Sequence, residues 1–547
     1  MKRSSFVEGT LIATIAIVFT KILGMLYVIP FYAIVGVQGS ALYAYAYNIY
    51  IIFLDISSAG LPIAISKIIN EYNTLGKMDA KVRAYKIGKR VMVFLATSIF
   101  ILLMLFAPQI AKLLLGDISG GNTIEDVALA IRCVSFAILI IPFLSVTKGY
   151  LQGHKIINIS SISQVIEQIV RIGIILVGSY LVLKVFDGSV TTAVGISVFG
   201  TLVSGLVAYL YIKYKMHKDK SEELSLTNNY IKDDVTDKEI FKKIFSYAIP
   251  FIIINIVSSC YNFVDMTLLL RTMNYLNLET ADIEFVTSAV TTWAPKINMI
   301  VKSIAMGMST SLIPTMVTAY TLKKWDEVNN KFNQALQILL FVSLPMTIGI
   351  SMLSSSIWSI FYGYSVYGSY ILALNVFTGL LINVYMTTSS ALQGLNKFKL
   401  VYLSTITGFV SNAILDVPLM ILYSKIGIPP FLGAITASII GYGLSILIAL
   451  ISLKKECKLK YRDTIKTTMK MLVPLVVMAV VVFILMNLVP VNLNSKISCI
   501  VYVAINAIIG AITYIVIAFK MGLVTKVLGK RMTNGIIKKL TFGKISI

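Results

Sequence analysis

KYKMHKDKSEELSLTNNYIKDDVTDKEIFKK (213–243) is the longest polar run in this chain, and it divides two stretches built on a different plan. On either side, apolar runs of helix length alternate with short polar loops. About 20 apolar residues carry a helix across the roughly 30 Å hydrocarbon layer, and a helix satisfies its own backbone hydrogen bonds there. Six such spans precede the polar run, near 6–33, 41–69, 91–115, 125–147, 157–183 and 190–212. Eight follow it, near 244–270, 286–319, 333–356, 367–391, 399–423, 430–452, 470–489 and 498–519. The reading is an all-α polytopic membrane protein with fourteen transmembrane helices.

The loops fix its orientation. Of 48 basic residues, 37 fall in eight segments that would share one side: the N-terminus, 71–90, 148–155, 213–243, 323–331, 397–399, 454–470 and 520–547. The intervening loops hold five, Lys112, Lys184, Arg271, Lys425 and Lys496. Positive loops stay cytoplasmic, so both termini are expected inside a bacterial plasma membrane. The start, 1–32, is too long and wrongly flanked for a cleaved signal peptide and reads as a retained first helix.

Composition agrees. The chain is 57% hydrophobic and 13% charged, with mean hydropathy +0.84, outside the range of soluble domains. Its net charge of +23 sits beside the membrane, where anionic inner-leaflet lipids are the expected partner. No aromatic-basic surface unit points to nucleic acid. Cys133, Cys260, Cys457 and Cys499 have no metal or redox spacing.

The two stretches are related. GYLQGHKIINISSISQVIEQIVRIGIIL (149–176) and SALQGLNKFKLVYLSTITGFVSNAILDV (390–417) both place Leu-Gln-Gly at a cytoplasmic turn, then a Lys, then a long helix. A looser echo pairs GLPIAISKIINEY (60–72) with SLIPTMVTAYT (311–321). Each six-helix block begins inside, so the repeats share one orientation, related by an axis along the membrane normal. The expected domains are an N-lobe (1–215), a cytoplasmic linker (216–243), a C-lobe (244–453), a loop (454–469), helices 13–14 (470–520) and a basic tail (521–547).

The run FVEGTLIATIAIVFTKILGMLYVIPFYAIVGVQGSALYAYAYNIY (6–50), with SSAGLPIAISKIINEY (57–72) and AIPFIIINIVSSCYNFVD (248–265), resembles the SpoVB/YtgP branch of the MOP exporter superfamily. That branch includes MurJ-type lipid II flippases and related polysaccharide exporters. The resemblance implies a V-shaped, MATE-like pair of lobes, alternating access, and an undecaprenyl-linked saccharide as cargo. In MurJ-like proteins the two extra helices are associated with a groove for the lipid tail. Cell-wall synthesis machinery is an expected partner.

Ionisable groups inside spans are expensive and carry functional hypotheses. Lys21 lies in helix 1, Asp55 at similar depth in helix 2, and Lys296 and Lys302 in helix 8. Six residues apart, the last two stand roughly 240° around an unbroken helix, and Lys302, the deeper, is the first choice. A pyrophosphate headgroup needs cations to replace its hydration, and Lys21 and Lys302 supply one per lobe. Lys21 either faces substrate or pairs with Asp55. Arg271, at the outer end of helix 7, either receives the headgroup or anchors the interface. Glu167 and Arg171, i,i+4 in helix 5, read as a self-satisfied pair, and Arg132 as a snorkelling side chain.

Asn412 and Asp416 on helix 11, Asp265 on helix 7 and Thr436 on helix 12 offer hard oxygens for Na+ or a proton-coupling acid, against structural hydrogen bonding. No cofactor is expected beyond that cation. The repeat aligns Arg171 with Asn412 and Ile175 with Asp416. Helix breakers mark the hinge candidates Gly24, Pro30, Gly60, Pro62, Pro250, Pro295 and Pro314. The functional expectation is a lipid II flippase rather than an enzyme. The alternatives are a flippase for another polysaccharide repeat unit, a cation-coupled small-molecule exporter, a membrane polymerase or glycosyltransferase, and a scaffold in wall synthesis.

Overall fold

The computed structural model describes residues 16, 19–58, 60–116, 121–154, 156–218, 234–302, 316, 319–320 and 322–529. Among the described residues there is no strand, and twelve helices are long and apolar enough to span a membrane. One of the twelve, Phe19–Thr74, is 56 residues long. It holds both of the first two expected spans, because Gly36 turns the chain between them with φ 67°, a conformation open to glycine at little cost. The second half of the expected span 286–319 lies largely outside the described residues, so twelve is compatible with the fourteen read from the sequence.

The chain divides into two compact units, 1–292 and 293–547. Packing defines these units, whereas sequence similarity defines the six-helix blocks, and the two need not coincide. The first unit contains α1 (19–26), α2 (Val28–Ser58), α3 (Leu61–Thr74), α4 (Met78–Leu115), α5 (Ile124–Gly153), α6 (Ile157–Tyr180, extended by a π-turn, Leu181–Val185), α7 (Val190–Lys218), α8 (Asp237–Tyr275) and α9 (Thr280–Ser288). Its hub is α5, which packs on α2, α3, α4 and α7, while α8 lies against α2, α3 and α4. Gly60, at the start of α3, has no room for a side chain: a Cβ there would come 2.2 Å from the Ala248 carbonyl oxygen of α8.

In the second unit a π-turn, Ala289–Trp293, which straddles the boundary, leads into α10 (Ala294–Ile297), and α11 is described over 299–302. Then come α12 (Trp325–Met352), α13 (Ser354–Tyr362), α14 (Val366–Gly394), α15 (Phe398–Lys425), α16 (Phe431–Cys457), α17 (Arg462–Leu488), α18 (Lys496–Lys520) and α19 (Leu523–Leu528). The α15–α16 hairpin is the most extensive pairing, and the two extra helices α17 and α18 pair with each other and dock on α12.

Helices start earlier than the apolar runs do. α4 begins at 78 rather than 91, α8 at 237 rather than 244 and α17 at 462 rather than 470. Lys, Arg and Ala are good helix formers, so the basic loops continue the helices into water. α8 is stopped at its start by a capping box between Thr236 and Glu239. Arg83 staples that start to α4, reaching Asp79, Asp237 (2.7 Å) and the Val235 carbonyl.

Candidate functional site

In the first unit, α2 presents Tyr43, Tyr47 and Tyr50 at helical spacing, so they share one face. The Tyr43 and Tyr47 rings stack at 5.7 Å, and the Tyr27 and Tyr43 hydroxyls are 3.3 Å apart. Arg171 of α6 lies within electrostatic reach of all three. Its carboxylate partner is Glu167, which also receives Lys148 of α5 at 2.9 Å. The i,i+4 pair read from the sequence therefore exists, with a second cation added. Two cations and one carboxylate leave this cluster one positive charge in excess. The tyrosine face and Lys148 went unnoticed in the sequence, although the 43–47–50 spacing was a legible signal.

Lys21 sits half-buried on α1. Gly24, one turn on, approaches the Gln168 amide of α6 so closely that a Cβ would lie 3.2 Å from its nitrogen. Asp55 accepts a hydrogen bond from Ser259 of α8, and among the described residues no ion pair joins it to Lys21. Asn48, not singled out in the sequence, is buried and donates to Thr292 at 2.9 Å. Asp265 is buried on α8. Arg271 is exposed at the far end of that helix and donates to the Leu113 carbonyl at 2.6 Å.

In the second unit the ammonium of Lys296 lies 4.6 Å from the Trp293 ring centre, a cation–π contact that offsets part of its desolvation. Asn298, between Lys296 and Lys302, is a loosened turn rather than a break: its N–H reaches the Ala294 carbonyl at 3.1 Å and its own carbonyl receives the Lys302 N–H at 3.0 Å, so the two lysines keep the wide angular separation of a helix. The π-turn and Pro295 lie at the start of this segment. Asparagines of α14 brace it. Asn298 donates to the Asn375 side-chain and backbone oxygens at 2.7 and 2.9 Å, and Asn383 donates to the Val301 carbonyl at 2.5 Å. Lone asparagines give no periodic signal, and the sequence did not mark them.

Asn412 and Asp416 are fully buried, one helical turn apart on α15. Thr436 bonds Tyr423 of α15 at 3.1 Å and its own helix at the Leu432 carbonyl. Asp265, grouped with them on sequence grounds, belongs to the first unit. Among the described residues no group of three His, Cys, Asp or Glu side chains stands where it could hold a metal ion. The donors on α15, one carboxylate and one amide oxygen, are hard ligands of the kind a monovalent cation takes and a soft transition metal does not.

Of the hinge candidates, Pro30 falls in the first turn of α2, where a missing N–H costs nothing. Pro62 opens α3 beside the packed Gly60, Pro250 lies inside α8, and Pro295 opens α10. Pro314 lies outside the described residues.

Buried charge on interrupted helices, set in a bundle of apolar spans, is the architecture of a membrane transporter. The fold is that of the MOP superfamily. A solved inward-facing multidrug resistance MATE transporter of that superfamily superposes with TM-score 0.67 at 16% identity, covering 80% of this chain and 96% of that one. A lipid II flippase MurJ in an inward closed conformation superposes with TM-score 0.67 at 18% identity, covering 93% and 99%. The polysaccharide biosynthesis protein family matches residues 6–320, more than half of the 547 residues. A Bacillus subtilis protein, lipid II flippase MurJ, is 33% identical over 488 residues, 88% of each chain. The chain belongs to the polysaccharide biosynthesis protein family, and the resemblance read from its first helices is borne out.

Proposed function

We propose that this protein is a flippase that moves an undecaprenyl-pyrophosphate-linked saccharide, lipid II, from the inner to the outer leaflet of a bacterial plasma membrane by alternating access. The observation that carries this reading is the 33% identity to the Bacillus subtilis lipid II flippase over 88% of the chain. It is a transporter rather than an enzyme. The termini lie in the cytoplasm, and anionic lipids and wall-synthesis proteins are its partners.

Lys21, Lys296, Lys302 and Arg271 meet the anionic headgroup during the cycle, and Asp55 exchanges partners as it passes. A monovalent cation, Na+ or H+, is held by Asn412 and Asp416, with Thr436 contributing in the course of the cycle. Gly24, Pro30, Gly60, Pro62, Pro250 and Pro295 serve as hinges in that cycle. Supporting the cation assignment is the full burial of Asp416: a carboxylate in a membrane interior is costly and is retained for a purpose.

Complementation of a flippase-depleted strain tests the cation roles. Lys302→Ala and Lys21→Ala abolish rescue at unchanged protein abundance. Full growth with either variant would remove that lysine from the mechanism.

A further inference from the structure

The five basic residues in the cation-poor loops are not scattered evenly. Lys112 and Arg271 line a single cavity of about 730 Å³ in the first unit, where the end of α4 meets the end of α8. Gln109, Asn274 and Tyr275 add polar groups to its wall. Leu113, also in the lining, is 54% exposed and Tyr275 75% exposed. An exposed apolar side chain and an exposed tyrosine at the end of a membrane helix mark the height of the lipid headgroups. The recess therefore opens at the lipid–water boundary.

Helix capping explains part of the arrangement. The Leu113 carbonyl, in the last turn of α4, lacks an intrahelical partner, and Arg271 Nη2 supplies one at 2.6 Å. That bond uses one of five guanidinium donors and holds the group at the rim. It does not explain why a second cation and three further polar side chains share the cavity. A guanidinium held by its bond to α4, lining a cavity that a lysine also lines, is suited to phosphate oxygens.

We propose that this recess binds the phosphate of a lipid headgroup in the leaflet on the cation-poor face. The arginine meets two oxygens, the lysine supplies a point charge, and the chain of the lipid lies along Leu113. The inference deepens the flippase reading at Arg271, and its crossed-substrate outcome rests on that reading, whereas retention of a resident phospholipid stands without it. A resident anionic phospholipid and a polyprenyl pyrophosphate that has already crossed carry the same chemistry.

The test is native mass spectrometry of the purified full-length protein, titrated separately with phosphatidylglycerol, undecaprenyl pyrophosphate and inorganic pyrophosphate. The wild type retains at least one of the two lipids, and Lys112→Gln/Arg271→Gln lowers retention about tenfold, while Lys425→Gln/Lys496→Gln leaves it unchanged. Because Arg271 also caps α4, Lys112→Gln alone is the variant that leaves the fold intact, and it lowers retention about threefold. Preference for phosphatidylglycerol identifies a resident lipid, and preference for undecaprenyl pyrophosphate identifies the crossed substrate. Equal retention by wild type and double variant would overturn the proposal. So would an equal loss in the control pair, or inorganic pyrophosphate binding as tightly as either lipid.

Discussion

Helices α6 and α15 descend from the same Leu-Gln-Gly turn and have become electrostatic opposites. On α6, Glu167 is answered twice, by Arg171 on its own helix and by Lys148 across the α5 contact. The positions aligned with Arg171 and Ile175 hold Asn412 and Asp416 on α15, both fully buried. Ile175, itself buried at 1% exposure, shows what the aligned site looks like when it serves packing alone. The backbone plan, a Leu-Gln-Gly turn and a long helix, accommodates either set of side chains. One unit thus carries surplus positive charge beside a tyrosine face, and the other carries a buried acid with a hard amide oxygen beside it. The two helices share a sequence pattern at their turn, and their side chains differ in charge.

The comparison is broken most directly at Asp416. Asp416→Asn changes transport about tenfold or more and removes its dependence on sodium or pH, the range expected for coupling between two sites, while the protein remains as stable as the wild type. Flipping measured in vesicles against sodium and pH gradients checks this. Unchanged dependence on both would make α15 a structural helix like α6.

Glu167→Gln is expected to behave in the contrary way. It leaves Arg171 and Lys148 without their shared carboxylate in a part-buried site and costs about 1–3 kcal/mol of stability, as losing a charged hydrogen-bond partner does. Thermal unfolding in detergent reads the loss, and rescue of growth falls only as far as abundance falls. A stable Glu167→Gln protein that fails to transport would move α6 into the transport mechanism.

Glu284 calibrates both helices with a smaller effect. It is 3% exposed, lies just before the expected span 286–319, and accepts hydrogen bonds from the backbone and side-chain nitrogens of Asn122 at 2.7 and 3.0 Å. Burial pushes its carboxyl above the usual range, against the opposing pull of Asn122, with Asp126 adding a minor push in the same direction. A raised pKa in the folded state means that folding favours the protonated form. Its contribution is therefore complete below the ordinary carboxylate pKa and is lost as pH rises through the folded value. Unfolding temperature in detergent should fall across that window in the wild type and stay flat in Glu284→Gln. A wild-type curve that rises instead would show that the Asn122 hydrogen bonds outweigh burial.

The fold was legible because membrane spans are written in long apolar runs, and because basic loops report orientation whatever the packing. Helix ends were less so: the basic extensions at the starts of α4, α8 and α17 are polar and carry no hydropathy signal, though they are good helix-forming sequence. The isolated charges were visible as exceptions to the apolar pattern. Their partners were not, since Ser259 beside Asp55 and Trp293 beneath Lys296 are ordinary span residues until the helices pack. Asn298, Asn375 and Asn383 were equally invisible: Asn298 donates to oxygens of Asn375 on α14, and Asn383 donates to the Val301 carbonyl, contacts that exist only once the helices pack. The surplus charge on α6 required knowing that α5 delivers Lys148 to the same carboxylate.

The most direct test is lipid II exposure at the cell surface in a bacterium depleted of its own flippase. Cells producing this protein should accumulate lipid II in the outer leaflet at the level of undepleted cells, and should stop doing so with Lys302→Ala made at the same abundance. Lipid II retained in the inner leaflet, with the wild-type protein present in the membrane at normal level, would contradict the proposed function.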